Sequence, residues 1–383
     1  MKKRSDSKKG FSTGTLKMPC NKVLSRRRTE KAGIPPRGEM HPPKALIMMS
    51  GGLDSLLALR IMQEQGVEVE ALHFIGVFHA GKFEERDSDL ERFTETSGVK
   101  LTIARIEDDF IDILKNPAYG YGSNLNPCVD CRIYTLKKAR EYMDKSGASF
   151  IVTGEVVGQR PMSQRRNMLE LVEKKSGLEG LLLRPLSAKR LKPTIPEEKG
   201  WIDREGLFDI NGRSRKPQMA LAKRFGIKDY PSPAGGCLLT DPQFAARLRD
   251  LIKYDELTTD AIELLKVGRH FRLSDSTKAI VGRNRDDNAR MAELIKENDI
   301  ILKLKDMPGP LTVLRGSPGD KEIEAAGSIT VRYSKARRED SVRITKYAVA
   351  TDGKGPGPLT GQKDKSYFSV RPAPDDVLTK CSI

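Results

Sequence analysis

The chain has 383 residues and a formal net charge of +16 at pH 7, with 68 Lys and Arg against 52 Asp and Glu. This length allows two or three domains, and the positive excess predicts a polyanionic partner. The sequence shows neither a run of about eighteen apolar residues nor a signal-peptide pattern, so we expect a cytoplasmic protein without a membrane partner. In a reducing compartment, its five cysteines favour metal binding or catalysis over disulfides.

The most basic part of the chain is its first segment, residues 1–42, which carries twelve Lys or Arg and three Asp or Glu. Its Ser, Lys, Arg, Gly and Pro content offers little apolar surface to bury, which predicts a flexible basic arm. Two interpretations of this arm stay open: a solvated leader and an arm that contacts RNA.

From residue 43 onwards, strand-like apolar runs alternate with helical patterns. This alternation is typical of the α/β class and predicts a doubly wound, mostly parallel sheet. Ligands of such sheets bind beyond the carboxyl ends of the strands. The predicted strands cover residues 44–49, 68–74, 99–106 and 148–155, and the predicted helices include residues 54–66, 83–97 and 133–146.

The first predicted strand ends in the turn SGGLDS, Ser50 to Ser55. Adjacent glycines let the backbone approach a ligand closely, and the first N–H groups of the next helix lack intrahelical partners. The turn matches neither the GxxxxGK[ST] nor the GxGxxG nucleotide motif. We interpret it as a pyrophosphate site in which Asp54 orients a water molecule or a magnesium ion.

SGGLDS after a buried strand resembles the SGGxDS motif of the PP-loop ATP pyrophosphatases, which adenylate a carbonyl-type oxygen and release pyrophosphate. The resemblance implies the adenine nucleotide alpha hydrolase type of fold and binding of ATP with Mg²⁺. That family includes amide synthetases, a nitrile synthase and tRNA thiolases, so further motifs must distinguish among them. The ATP-binding residues that the resemblance implies in this turn are Ser50, Gly51, Gly52, Leu53, Asp54 and Ser55.

A second motif, NPCVDC, holds Cys128 and Cys131 on a predicted loop that leads into a helix. If helical geometry begins there, both sulfurs face the same way near backbone donors that lower the thiolate pKa. Cys237, in SPAGGC, is a third candidate, whereas Cys20 and Cys381 are poorly placed to complete a zinc site. Three thiols can hold a [4Fe–4S] cluster with one open iron or support persulfide chemistry, and inert or zinc-bound cysteines also stay open.

Two motifs resemble different tRNA thiolases. NPCVDC is similar to the NPCxxC segment of the 2-thiouridylases, and TGEVVGQRPMSQ, Thr153 to Gln164, is similar to the TGExLGQxxSQ segment of the 4-thiouridine synthases. The second motif places Gly154 and Gln159 at another strand end, where an amide can contact the nucleotide.

The resemblance implies a tRNA sulfurtransferase that adenylates a uridine carbonyl oxygen and replaces it with sulfur, at C2 or C4. The sulfur donor is expected to be a cysteine desulfurase or free sulfide, and a homodimer is left open. The residues that we expect to be catalytic are Asp54, Cys128, Cys131 and Cys237, with the three cysteines as metal ligands if a cluster is bound.

After the predicted PP-loop ATP-binding domain, residues 43–185, we expect an extension at residues 186–265 that flanks the cleft and carries the third cysteine. This extension mixes proline turns with basic residues, and a solvated loop is as consistent with it as an RNA contact. Its candidate RNA-binding residues are Arg213, Arg215 and Lys216.

Residues 266–383 change character and predict a smaller α+β domain. Their motifs VGRN, DMPGP and YSKAR resemble the RNA-binding C-terminal domain called NFACT-R, which implies a basic patch at Lys335, Arg337 and Arg338. The 4-thiouridine synthases usually carry an N-terminal tRNA-gripping module, and we expect the C-terminal domain to hold tRNA in its place.

Two functions of other classes stay open. An amide synthetase needs a source of ammonia, and the sequence shows no glutaminase-sized block with a Cys/His pair. A noncatalytic RNA-binding factor on a PP-loop scaffold would not need the thiols. The four histidines show neither triad nor HExxH spacing, which argues against a His-based hydrolase.

Overall fold

The computed structural model describes residues 43–78, 83–106, 109–228, 230, 237–349 and 362–383. The predicted basic arm, residues 1–42, and Cys20 within it lie outside the described residues, and the predicted domain bounds stay predictions. No helix within the described ranges is long and apolar enough to cross a membrane.

The first sheet consists of five parallel strands. The alternating pattern predicted a mostly parallel sheet and the first four of these strands, but not the short fifth strand. In chain order they are β1 (Lys44–Met49), β2 (Glu68–Ile75), β3 (Lys100–Arg105), β4 (Phe150–Thr153) and β5 (Leu182–Leu183). Their spatial order is β3-β2-β1-β4-β5, so the winding direction reverses between β1 and β4. Ligands of doubly wound sheets bind at this point of reversal.

Helices cover both faces of this sheet. Leu53 and Leu57 share a buried cluster with Ile47 of β1, and Leu136 shares another with Leu46 of the same strand. Because neighbouring strand residues point to opposite faces, the doubly wound arrangement is confirmed. The helices are α1 (Leu53–Glu64), α2 (Phe83–Thr96), α3 (Asp109–Lys115), α4 (Cys128–Ser146) and α5 (Arg166–Ser176).

Helix α4 begins at Cys128, five residues earlier than the sequence pattern predicted. Pro127 precedes it, and a proline suits the start of a helix because it has no N–H to leave unpaired. Asp130 is buried in the first turn and accepts the backbone N–H groups of Ala118 (2.9 Å) and Tyr119 (3.2 Å). The helix start is therefore fixed to the loop before it, and both cysteines of NPCVDC are helical.

A largely helical extension follows the first sheet. Phe244 and Leu248 share a buried cluster with Phe110 and Tyr134, which belong to α3 and α4. The extension is therefore packed against α3 and against α4, the helix that begins within NPCVDC. Its α-helices are α6 (Ile195–Glu198), α7 (Lys216–Arg224), α8 (Pro242–Lys253) and α9 (Thr259–Leu265), with 3-10 turns at Ala188–Arg190, Arg204–Gly206 and Leu238–Thr240.

The C-terminal part is α+β, as predicted, with an antiparallel sheet of six strands. The strands are β6 (Arg269–Ser274), β7 (Thr277–Val281), β8 (Ile300–Leu304), β9 (Thr312–Gly316), β10 (Val342–Val349) and β11 (Gln362–Val370). Their spatial order is β11-β10-β8-β9-β7-β6. The remaining helices are α10 (Arg285–Glu293), α11 (Asp320–Arg332) and α12 (Asp375–Cys381).

Each face of the second sheet meets a different helix. Ile329 of α11 shares a buried cluster with Leu302 and Ile344 on one face. Met291 of α10 shares another cluster with Ile280 on the opposite face. The sheet is therefore held between α10 and α11.

Glu155, directly after β4, is buried between two arginines. Its carboxylate accepts the Nε–H of Arg132 (3.0 Å) and the Nε–H of Arg184 (3.1 Å). Burial would raise the pKa of Glu155, but the two guanidinium groups outweigh it and lower the pKa to about 2. Because Arg132 belongs to α4 and Arg184 follows β5, the carboxylate connects three elements of the fold.

We expect Arg184→Met to lower the free energy of unfolding by about 3–5 kcal/mol, because it leaves buried charge without a partner. The ionised Glu155 contributes fully to the free energy of unfolding above its ordinary pKa of 4.5, and that contribution is lost as the pH falls towards 2. The decrease in stability between pH 4.5 and 2 should therefore be smaller in the variant. Urea unfolding at both ends of this range measures it.

The matched control is Arg224→Met, which breaks an exposed ion pair with Glu64. This change should cost less than about 1 kcal/mol. Equal losses in the two variants would contradict the role of the buried carboxylate.

Candidate nucleotide and thiol site

The SGGLDS turn joins β1 to α1 at the point where the strand order reverses. Gly51 has a φ of +72°, a left-handed conformation that favours glycine. The Ser55 hydroxyl donates to the Gly52 carbonyl (2.8 Å) and accepts the Ser50 N–H (3.2 Å), which closes the turn. Because α1 has no side-chain cap, its first N–H groups are suited to an anion.

Gly154 brings the end of β4 against the first turn of α1. A Cβ atom at this position would lie 2.4 Å from the carbonyl carbon and oxygen of Asp54 and 2.6 Å from the Ser55 nitrogen. No side chain fits in that space without moving the backbone of the SGGLDS turn. The TGE strand end and the first turn are therefore in direct contact.

Asp54 lies where these two strand ends meet. Gln159 donates its amide N–H to one Asp54 oxygen (2.9 Å), and an Arg215 nitrogen lies 3.9 Å from the other. That second oxygen, the Gln159 carbonyl oxygen and the Arg215 Nε are buried without a hydrogen-bond partner. Buried polar atoms normally have partners, so this group of atoms fits a bound ligand such as a magnesium ion with a phosphate.

Of the three basic residues predicted to contact RNA in the extension, Arg213 and Lys216 are exposed, whereas Arg215 is half-buried beside Asp54. Its loop is fixed there because the Gly212 N–H donates to the Val157 carbonyl (2.8 Å), next to the TGE strand end. Arg215 therefore lies at the SGGLDS turn, and its predicted contact with RNA stays a prediction. The hydrogen bond between Gly212 and Val157 joins residues more than fifty positions apart in the sequence, so local motifs do not predict it.

The structure brings Cys237 towards the two cysteines of NPCVDC. The Asn124 amide donates to the Thr240 carbonyl (2.8 Å), and the Leu125 N–H donates to the Leu239 carbonyl (3.2 Å). These bonds join the loop before α4 to the segment that follows Cys237. Cys131 and Cys237 pack against the same apolar cluster.

Cys128 links these thiols to the nucleotide turn. Its Sγ donates a hydrogen bond to the Ser163 hydroxyl (3.0 Å). Ser163 belongs to the TGEVVGQRPMSQ segment, whose Gln159 contacts Asp54. The candidate nucleotide and thiol residues are thus connected through one short segment.

The prediction that backbone donors lower the thiol pKa is wrong for Cys131. Burial raises the pKa of Cys131 to about 12, and the nearby Cys237 adds to this shift. Burial also raises the pKa of Cys237. Both thiols are therefore protonated at neutral pH.

The predicted [4Fe–4S] cluster has no preformed site in the described residues. Among them, no group of three or more His, Cys, Asp or Glu side chains is arranged to hold a metal ion. Cys128, Cys131, Cys237 and Cys381 are all free cysteines.

The C-terminal residues predicted to bind RNA lie after α11. Lys335, Arg337 and Arg338 are exposed, and Arg337 and Arg338 line an open groove of about 470 Å³ together with Tyr333. The Arg269 guanidinium lies 4.4 Å from the centre of the Tyr333 ring. The patch is therefore an accessible basic groove with one aromatic side chain in its wall.

Two segments of the chain match protein families. Residues 42–193 match the family described as thiamine biosynthesis protein (ThiI), and residues 268–354 match the family described as NFACT protein RNA binding domain. Over 118 residues, 30% of the chain, the sequence is 29% identical to the tRNA-specific 2-thiouridylase MnmA of Sulfurimonas denitrificans. The chain spans about a third of the length of such curated relatives, 35% in this case.

Two solved structures are similar to part of the chain. One is the U34-tRNA thiolase NcsA from Methanococcus maripaludis with its [4Fe-4S] cluster, with 17% identity, a TM-score of 0.31, and coverage of 58% of this chain and 71% of that one. The other is a 4-thiouridine synthetase–RNA complex with bound ATP, with 19% identity, a TM-score of 0.34, and coverage of 58% and 52%.

The parallel sheet with the SGGLDS turn at its point of reversal is a fold of the PP-loop type. The chain is similar to the ThiI family over residues 42–193 and to the NFACT RNA binding domain over residues 268–354. The resemblance seen in the sequence motifs is thereby confirmed.

We expect Gly154→Ala to weaken ATP binding about tenfold or more, because the added Cβ pushes on the backbone of the nucleotide turn. Isothermal titration with ATP and Mg²⁺ measures the change.

Gly147→Ala is the control for lost stability alone. Gly147 also has a positive φ (+69°), but no atom lies within 4 Å of its added Cβ. This variant should lose stability and keep its affinity for ATP. Equal ATP binding by both variants would contradict the close approach at Gly154.

Proposed function

We propose that the protein is an ATP-dependent tRNA thiolase that acts in the cytoplasm on a uridine of tRNA. The observation that carries this proposal is the series of contacts from Asp54 through Gln159 and Ser163 to Cys128. It joins a turn suited to pyrophosphate to a group of thiols at the carboxyl edge of one sheet. The RNA-binding domain supports tRNA as the partner.

In the first step, ATP lies with its phosphates on the Ser50–Ser55 turn. The uridine oxygen attacks the α-phosphorus, and the bond to the β-phosphate breaks to release pyrophosphate. Asp54 would hold Mg²⁺ through its unpaired oxygen, and Arg215 lies where it can contact a phosphate. A magnesium ion bound there would neutralise the charge that builds up on the leaving group.

In the second step, sulfur replaces the activated oxygen. The raised pKa values of Cys131 and Cys237 make the bare thiols poor nucleophiles at neutral pH. A persulfide loses its proton more readily than a thiol, so a cysteine loaded with sulfur by a cysteine desulfurase is the better nucleophile. Its terminal sulfur attacks the adenylated carbon, and AMP leaves with the former uridine oxygen.

A second cysteine then attacks the protein-bound sulfur, and its proton passes to the sulfur of the departing base. This releases the thiolated base and leaves a disulfide, which a reductant has to reopen. In the alternative route, free sulfide is itself the nucleophile. The proposed reaction is not routed through a cluster, because no group of three or more His, Cys, Asp or Glu side chains in the described residues is arranged to hold one.

We expect Asp54→Asn to reduce pyrophosphate release about a hundredfold, because the magnesium-binding charge is lost. The assay measures pyrophosphate formed from ATP in the presence of tRNA. Asp209→Asn, which alters an exposed ion pair with Arg190, serves as the control and should be unaffected. If the unmodified protein released no pyrophosphate, it would be a noncatalytic RNA-binding factor.

We expect Cys131→Ser and Cys237→Ser to abolish thiolation while pyrophosphate is still released, because adenylation precedes sulfur transfer. Chromatography and mass spectrometry of digested tRNA measure the product and distinguish 2-thiouridine from 4-thiouridine. Cys381→Ser, in α12, is the control and should behave like the unmodified protein. Undiminished thiolation in both test variants would refute the role of these thiols.

A further inference from the structure

One face of the second sheet carries alternating lysine and tyrosine side chains. Thr345 of β10 is paired with Lys303 of β8 and with Tyr367 of β11, so these three point to the same side. Side chains two residues further along each strand share this side. We name the resulting surface the Lys–Tyr face, and it consists of Lys303, Lys305, Arg343, Tyr347, Lys365 and Tyr367.

The aromatic rings of this face lie among cations. The Lys305 ammonium is 4.9 Å from the centre of the Tyr367 ring, and the Lys365 ammonium is 5.4 Å from the Tyr367 ring and 5.8 Å from the Tyr347 ring. Tyr367 is 48% exposed, which is high for so large a side chain. The six positions hold four cations and no carboxylate.

The exposed part of the Lys–Tyr face is at Tyr367. Helix α11 packs on the opposite side of the sheet, against Leu304, Ile344 and Val370. Helix α10 packs on the same side as the face, and its cluster includes Ile301 of β8, with Tyr347 of β10 packed against it. Tyr367 of β11 lies outside both clusters of the described residues and stays exposed.

We propose that the Lys–Tyr face binds an unpaired stretch of RNA, with a base stacked on the exposed Tyr367 and phosphates against the lysines and Arg343. Aromatic side chains stack on the faces of unpaired bases, and a positive surface follows the backbone. A duplex exposes its phosphates, but its base faces are stacked inside, so an exposed tyrosine ring has no base face to stack on.

This inference rests on the proposed function, in which tRNA is the substrate, and it specifies which kind of RNA segment is held. It also extends beyond the matched family segment, which ends at residue 354. Lys365 and Tyr367 belong to β11, outside that segment. The predicted groove at Arg337 and Arg338 would then be a second phosphate contact.

The test compares the full-length protein and its variants in binding a fluorescent single-stranded RNA of roughly ten nucleotides and an RNA duplex of equal length. Tyr367→Ala should bind the single strand about tenfold more weakly, because one stacked base is lost, and the duplex almost as before. Tyr367→Phe keeps the ring and should restore the affinity. Thermal unfolding verifies that both variants are folded.

Lys305→Ala tests the charge of the face. It should reduce the salt dependence of single-strand binding by about 0.7 in the slope of log K against log salt, the effect of one phosphate contact. Lys321→Ala removes an exposed lysine of α11, on the opposite side, and should leave the slope unchanged.

Unchanged single-strand binding by Tyr367→Ala would overturn the inference, and so would an equal loss for both RNAs. The outcome is separable from the proposed function. Binding that depends on Tyr367 without any pyrophosphate release would support the Lys–Tyr face and refute the thiolase. If the protein releases pyrophosphate and Tyr367→Ala binds RNA normally, the result would support the thiolase and refute the Lys–Tyr face.

Discussion

The candidate site depends on how closely the end of β4 approaches the first turn of α1. At Gly154, a Cβ atom would lie 2.4 Å from the Asp54 backbone, so only glycine allows this contact. Because the two elements touch, Gln159 reaches Asp54, and Ser163 of the same segment reaches Cys128. One residue without a side chain thus connects the nucleotide turn with the thiols.

The residue after this glycine stabilises the other side of the strand end. Glu155 bonds Arg132, which directly follows Cys131 in α4. The Arg132 charge lowers the pKa of Cys131 less than burial raises it, so the thiol stays protonated. The arginine therefore stabilises the fold around the carboxylate without turning its neighbour into a thiolate.

The sequence patterns predicted those features that are determined by residues close together in the chain. The first four strands of the parallel sheet follow from apolar runs that end at Gly and polar residues, and SGGLDS follows from its glycines. Helix α10 was missed because its sequence RDDNARMAE is polar, with Asp287 and Met291 as its buried residues. The thiol pKa values and the position of Arg215 depend on contacts between distant segments, which neither periodicity nor spacing encodes.

Helix α8 connects the thiol region with the RNA-binding sheet in two physically different ways. Its Phe244 packs in one apolar cluster with Tyr134 of α4, and such hydrophobic contacts are non-directional. Its Asp250 accepts bonds from Arg272 of β6 (3.1 Å) and Lys278 of β7 (3.2 Å), which fix the direction of the sheet. Burial lowers the pKa of Lys278 to about 8, although Asp250 opposes the shift. Above that pH the lysine becomes neutral, but Arg272 stays charged, so the connection between the two regions persists.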